Sequence, residues 1–249
     1  MKKIKQLLTT LIKCTTSMFN INKLSKIVPY SDEWYAARLG VMTGSRISCL
    51  MGARGIGEGG MTYIRNKVYE KITGKSSEKN ITTEATVWGV KNEPIAIKEF
   101  QDVYGIPLIM TDKHIVHDDL YSVTPDGLLI RDSKFIDNGK GEYNCETLES
   151  KSYMTPSTHM AHVRCQTAHG IKEINSPLFW QVVSQMHMSD VLKGNAIFFH
   201  PDFPKESKFR LGHVPFNKID LMPEFKLFRE RLEEARVIFN RELAFSQAA

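Results

Sequence analysis

The sequence predicts an α/β domain. Two observations carry that prediction. Several segments place apolar residues at i, i+3 and i+4, the period of a helix with one buried face, and the stretches between them switch to the two-residue period of strands. A third sets the scale, since 249 residues with 42% hydrophobic composition suffice for one sizeable core. Nothing in the order of the segments separates two folded units, so residues 32–249 read as a single domain preceded by a basic extension, residues 1–31.

The extension contains no Asp or Glu and carries Lys2, Lys3, Lys5, Lys13, Lys23 and Lys26. Its apolar run Leu7–Ile12 is short, Lys13 interrupts it, arginine is absent and no small-residue cleavage site follows. A targeting role is therefore disfavoured against a basic helical arm or a frayed tail. Ser31 then caps a helix whose first turn holds Asp32 and Glu33, acids suited to a helix's positive end, and which stops at Gly40. A second short helix follows Thr43-Gly44-Ser45, and the Gly-rich stretch Gly52–Gly60 reads as a mobile surface loop. From Met61, the positions Ile64, Val68 and Ile72 mark an amphipathic helix closed by Gly74, with Arg65, Lys67 and Lys71 on its other face. A further helix runs from Glu84 to Tyr104 and ends at Gly105, with Pro94 demanding a bend or a fresh first turn.

Ile106–Ile115 and Tyr121–Arg131 change period toward strands, and Thr124-Pro125-Asp126-Gly127 supplies a turn or bulge between apolar neighbours. Asp132–Glu142 is polar and reads as a hairpin tip or insertion, after which Cys145–Tyr153 is strand-like again. Pro177–Val191 forms a helix carrying Gln181, Gln185 and His187. Ala196–Phe199 and Lys208–Phe216 make a hairpin, and the helix after Pro223 aligns Phe225, Phe228, Leu232, Ala235 and Phe239 along a core stripe.

Composition narrows the function. Cys14, Cys49, Cys145 and Cys165 contain no C-x-x-C pair, so neither a disulfide framework nor a zinc ribbon is indicated, and a reducing, cytoplasmic setting fits. No apolar run approaches the roughly 20 residues that span a bilayer. A net charge of +5 permits a polyanionic partner. The Gly52–Gly60 stretch lacks the Lys-Ser/Thr ending of a phosphate loop, which leaves ATP binding unsupported. His159, His162, Cys165 and His169 have spacings that could stack zinc ligands on a helix, but a polar segment lining a channel or a plain surface helix is the preferred reading.

In Glu149-Ser150-Lys151 the two-residue spacing puts both charged side chains on one face of a strand. Asp126 precedes Glu149 by 23 positions, and a hairpin between them would set the two carboxylates side by side. Paired carboxylates repel, and a divalent cation with oxygen ligands, most naturally Mg²⁺, relieves that repulsion. Glu146 has the opposite strand parity and should face away. Taken alone, the spacing also describes a surface ion pair.

The phrase Val123-Thr124-Pro125-Asp126-Gly127-Leu128, followed by Leu148-Glu149-Ser150-Lys151, resembles the PD-(D/E)xK nuclease superfamily, and within it the lambda exonuclease (YqaJ-type viral recombinase) family. Trp34-Tyr35-Ala36-Ala37-Arg38-Leu39-Gly40-Val41-Met42-Thr43-Gly44-Ser45 is similar to the family's N-terminal block, and Trp88-Gly89-Val90-Lys91-Asn92-Glu93 to its W-G-x-x-x-E block. Ser157-Thr158-His159, the helix around Gln185, and His200-Pro201-Asp202 match further stretches. The resemblance implies a restriction-endonuclease-like α/β core with a central mixed sheet flanked by helices. It also implies Mg²⁺-dependent, processive 5′-to-3′ digestion of one strand of double-stranded DNA from its ends, with Mn²⁺ able to substitute. The family acts as a homotrimer ring and leaves 3′ single-stranded tails for a single-strand annealing protein.

By the same resemblance, Asp126 and Glu149 are metal ligands with the Ser150 carbonyl as a third, Glu93 is a further acid at the metal, and Lys151 is the catalytic lysine. Gln185 belongs near the metal and the nucleophile, with Gln181 one turn away as a competitor. Arg38, Ser45 and Thr124 correspond to a 5′-phosphate pocket, for which an Arg fork with hydroxyl partners is suited. Met61 corresponds to an apolar wedge beside the terminal base pair, a core Met being the alternative. This chain departs from the pattern in the polar insertion Asp132–Asn144, in the missing arginine around Ser157, and in the extension 1–31. The rival functions are a site- or structure-specific endonuclease on the same core and a catalytically inactive module that binds DNA ends.

Overall fold

The computed structural model describes residues 19–20, 27, 31–78, 83–106, 108–110, 115–116, 118–129 and 142–247. Most of the basic extension and the tip of the polar insertion lie outside them. Ten strands are placed among the described residues: β1 Phe19–Asn20, β2 Met42–Thr43, β3 Leu108–Met110, β4 Ile115–Val116, β5 Tyr121–Val123, β6 Gly127–Leu129, β7 Glu142–Tyr143, β8 Glu146–Lys151, β9 Lys193–Phe199 and β10 Leu211–Asn217. The helices are α1 Asp32–Ala36, α2 Glu58–Thr73, α3 Glu84–Tyr104, α4 Pro156–Arg164, α5 Ala168–Ile174, α6 Ser176–Met188 and α7 Met222–Gln247, with a 3-10 helix over Gly44–Leu50.

A five-stranded sheet in the order β10-β9-β8-β6-β3 forms the centre, with β8 and β9 parallel and the other pairs antiparallel. The mixed α/β architecture expected from the sequence is therefore present. Alternation along the strands sends side chains to two layers. Leu129, Leu148, Ile197 and Phe199 meet Ala96, Ile97 and Phe100 of α3, while Leu128, Ala196 and Phe198 join the larger core formed with α6, the 3-10 helix and α7. All five apolar positions singled out on α7 are buried.

Several local expectations need correction. The Thr124–Asp126 segment is no bulge within one strand: β5 belongs to a separate three-stranded sheet, β2-β5-β4, and the chain crosses there into the central sheet. Pro94 starts no fresh first turn but lies inside the continuous helix α3. Pro94 and Val90 are both exposed, so water can satisfy the carbonyl that the missing N–H leaves free. Ile72 is 52% exposed, because the buried arc of α2 runs through Gly60, Tyr63, Ile64, Lys67 and Val68 instead. The Gly-rich stretch is tied down, with the Ile56 N–H donating to Glu234 at 3.2 Å and Arg231 donating twice to the Gly52 carbonyl. Gly74 and Gly105 do close their helices, both in the left-handed region that glycine tolerates. Part of the extension is paired, β1 lying antiparallel to β7. No helix among the described residues is long and apolar enough to cross a membrane.

Candidate active site

β6 and β8 pair antiparallel with Gly127 opposite Leu148, so Asp126, one residue before β6, arrives beside Glu149 and Ser150. The Ser150 N–H donates to Asp126 Oδ2 at 2.7 Å and fixes that carboxylate. Glu149 is 1% exposed. Its Oε1 accepts from the Lys151 ammonium and from Gln181 Nε2 at 2.7 Å, and its Oε2 accepts from Gln185 Nε2. Gln181 and Gln185 stand four apart on α6 and so present both amides to the same point. Glu146, of opposite strand parity, is buried on the other face against Asn195 at 2.9 Å.

The electrostatics follow from this packing. Burial, with the Glu149 and Glu93 carboxylates adding to it, pushes the Asp126 carboxyl well above the usual carboxylate range, against the pull of Lys151. Burial works to lower the Lys151 ammonium, but Glu149 and Asp126 outweigh it and hold Lys151 above its ordinary value. Lys151 thus answers two carboxylates, Asp126 and Glu149, while Glu93 adds to the negative charge felt at Asp126.

That donor set fits a hard divalent cation. Among the described residues no three Asp, Glu, His or Cys side chains close around one point. Mg²⁺ does not require that, because it is ordinarily held by one or two carboxylates with water and substrate phosphate completing its shell. Asp126 and Glu149 would hold it, with Glu93 supplying further negative charge from α3. The Ser150 hydroxyl is buried with no hydrogen-bond partner among the described residues.

Beside these residues, a cleft of about 420 Å³ is lined by Glu93, Gly89 and Val90 of α3 and by Lys151, Tyr153 and Thr158. A second cavity of about 580 Å³ is lined by Arg38, Ser45, Arg46 and Lys67, together with Glu70 and Glu78. The Arg38 guanidinium lies 4.1 Å over the Trp34 ring. Thr124 does not line that cavity; it lies on the crossover between β5 and β6. Met61 is half-buried in the first turn of α2, outside both cavity linings and outside the hydrophobic core.

Gly44 lets the 3-10 helix approach α6 closely. A Cβ there would meet Ser184 Oγ and Val123 Cγ1, each at 2.8 Å. Ser184 sits on α6 between the two glutamines that hold Glu149. The 3-10 turn carrying Ser45 therefore presses directly on the helix that serves the carboxylate site.

Gln181, expected as a rival of Gln185, bonds to Glu149 beside it. The histidines do not lie on a plain surface helix. His159 and His162 are neither surface residues nor grouped ligands: both are buried, with His159 Nε2 donating to the Phe209 carbonyl at 2.6 Å and His162 Nδ1 to the Thr158 carbonyl at 2.8 Å. His169 instead reaches Glu224 at 3.3 Å. Burial holds His159 and His162 below their ordinary value of 6.5. Each binds a proton more readily when unfolded, so the stability they contribute is complete above pH 6.5 and is lost as pH falls below it. The urea midpoint is expected to decline below that pH, and the decline to be shallower in His159→Gln. A His159→Gln slope equal to that of the wild type would refute this.

No curated protein sequence matches the chain at a significant level. Solved structures do match. The crystal structure of an alkaline exonuclease from Laribacter hongkongensis superposes with a TM-score of 0.62 at 19% identity, covering 88% of this chain and 100% of that one. The same enzyme in complex with dAMP gives 0.62 and 19%, covering 87% and 98%. A phage-related exonuclease from Haemophilus somnus gives 0.59 and 13%, covering 83% and 96%. At these identities the likeness establishes the fold. The sequence pattern of the YqaJ-like viral recombinase domain matches residues 33–191, more than half of the chain, and the chain belongs to that family.

Proposed function

We propose that the protein is a Mg²⁺-dependent 5′-to-3′ exonuclease that digests one strand of linear double-stranded DNA and leaves 3′ tails for a single-strand annealing protein. The observation that carries this reading is the convergence of Asp126, Glu149 and Lys151 at one end of the central sheet, with Glu149 held by two amides from α6. The structural neighbours are exonucleases, one of them bound to dAMP, which supports a DNA substrate.

Asp126 and Glu149 would hold Mg²⁺, whose bound presence would supply polarisation of a phosphoryl oxygen and a more acidic water. Gln181 and Gln185 keep the Glu149 carboxylate oriented, and the Ser150 N–H does the same for Asp126. Lys151 offers a charged donor to a water or to charge growing on the phosphate. Arg38, with Ser45 in the same cavity, provides a fork for the terminal 5′-phosphate. Thr124 would add a hydroxyl from the crossover, and Met61 would bear on the terminal base pair. A homotrimer ring would keep the enzyme on its track.

The test is digestion of linear duplex DNA bearing one 5′-phosphate and one 5′-hydroxyl end, with Mg²⁺, beside closed circular DNA. The strand with the 5′-phosphate should be lost first, and Arg38→Ala should reduce that preference. Cutting of circles would replace this reading with an endonuclease. Tight end binding without nucleotide release would leave a binding module.

A further inference from the structure

We propose that Tyr153, His162 and Asn175 form a clasp that positions the glutamine helix α6 against the catalytic strand β8. This rests on the exonuclease reading for its functional consequence, but the clasp itself is a matter of geometry. Tyr153 lies two residues past Lys151 and lines the cleft beside it. Asn175 joins α5 to α6, and its Oδ1 accepts from the Leu178 N–H at 3.1 Å, capping α6. Its Nδ2 reaches the Tyr153 hydroxyl at 2.8 Å and His162 Nε2 at 3.1 Å. The Tyr153 hydroxyl is itself 3.1 Å from His162 Nε2.

The proton positions follow by elimination. The Thr158 carbonyl can only accept, so His162 Nδ1 carries the hydrogen of the neutral ring and Nε2 is a lone pair. That one lone pair is the common acceptor of the clasp: the Tyr153 hydroxyl and Asn175 Nδ2, each 3.1 Å away, face it as donors, and the Tyr153 oxygen also accepts from Asn175 Nδ2. A network satisfied in this way favours one arrangement over others.

The consequence concerns register. α6 begins at this clasp, and Gln181 and Gln185 lie one and a half to three turns beyond it. β8 ends just before it, with Glu149 and Lys151 on the last residues. The clasp is therefore the point at which the helix bearing the amides and the strand bearing the carboxylate and ammonium are fastened together. Tyr153, His162 and Asn175 act as positioning residues through Gln181, Gln185 and Lys151.

Tyr153→Phe removes the hydroxyl and keeps the ring. Asn175→Ser keeps a capping oxygen but is too short to reach Tyr153. Both should lower kcat on linear duplex DNA about tenfold with KM changed less than twofold, and both should melt within a few degrees of the wild type. His162→Gln, whose amide oxygen can accept from Tyr153, should recover most of the kcat that His162→Leu loses. Independently of activity, NMR should show His162 with Nδ1 protonated and Nε2 bare, and the Gln181 and Gln185 side-chain amide signals should move in Tyr153→Phe. Unchanged amide signals, or an inverted tautomer, would overturn the clasp. So would an unchanged kcat in an active enzyme. A wild type without nuclease activity would sink the exonuclease reading instead and leave the NMR result to decide the clasp.

Discussion

Lys151→Ala is expected to reduce nucleotide release from linear duplex DNA with Mg²⁺ by on the order of 10²–10³-fold, the effect of removing one donor aimed at developing charge. The side chain is one-third exposed while its partner Glu149 is almost wholly buried, so the ammonium spans the boundary between the carboxylate site and the open cleft. Arginine should not substitute, because its planar fork is larger than an ammonium and does not act as a point charge. Two controls separate chemistry from other causes. DNA-end binding should stay within about twofold of the wild type, since Arg38 and Ser45 line a different cavity. The melting transition should remain cooperative, since Gln181 and Gln185 still bond to Glu149 after the lysine is gone. A mutant within tenfold of wild-type activity would remove Lys151 from the mechanism.

The features legible in the sequence were those fixed by local period. The two-residue repeat placed Glu149 and Lys151 on one face and Glu146 on the other, and the helical repeat found the buried stripe from Phe225 to Phe239. The features that were not legible depend on partners far along the chain. Nothing local separates a bulge at Thr124–Asp126 from a crossover between two sheets, because sheet membership is decided by pairing with β2 on one side and β8 on the other. His159 reads as a surface residue until the Phe209 carbonyl, fifty residues away, is brought to it. A spacing of one helical turn leaves Gln181 and Gln185 as competitors for one place, whereas a carboxylate has two oxygens and Glu149 uses both. Ile72 failed for a smaller reason. An i, i+4, i+8 series advances 40° per step beyond a full turn, and by the third position it has left the buried arc of α2.

Asp126→Asn should abolish nuclease activity and at the same time raise the melting temperature of the metal-free protein. Asn keeps an oxygen to accept the Ser150 N–H, so the local geometry at the start of β6 need not change. What it removes is a negative charge that burial, Glu149 and Glu93 all oppose. A carboxyl whose pKa rises on folding contributes stability that is complete below its unfolded value and lost as pH rises through its folded value, so with rising pH the wild type loses stability that Asn does not. For a domain of this size each kcal/mol recovered is worth roughly 2–4 °C. Mg²⁺ should raise the melting temperature of the wild type by binding the folded state alone and should have little effect on the variant. The gain should also grow as pH rises above the ordinary carboxylate range, because the unfolded wild type sheds a proton that the folded protein retains and the variant has none to shed. A purely structural Asp126 predicts the reverse pattern: Asn would lower stability, and Mg²⁺ would act alike on both proteins. The opposite signs of the activity and stability changes in one variant are what mark a carboxylate kept for chemistry at the expense of the fold.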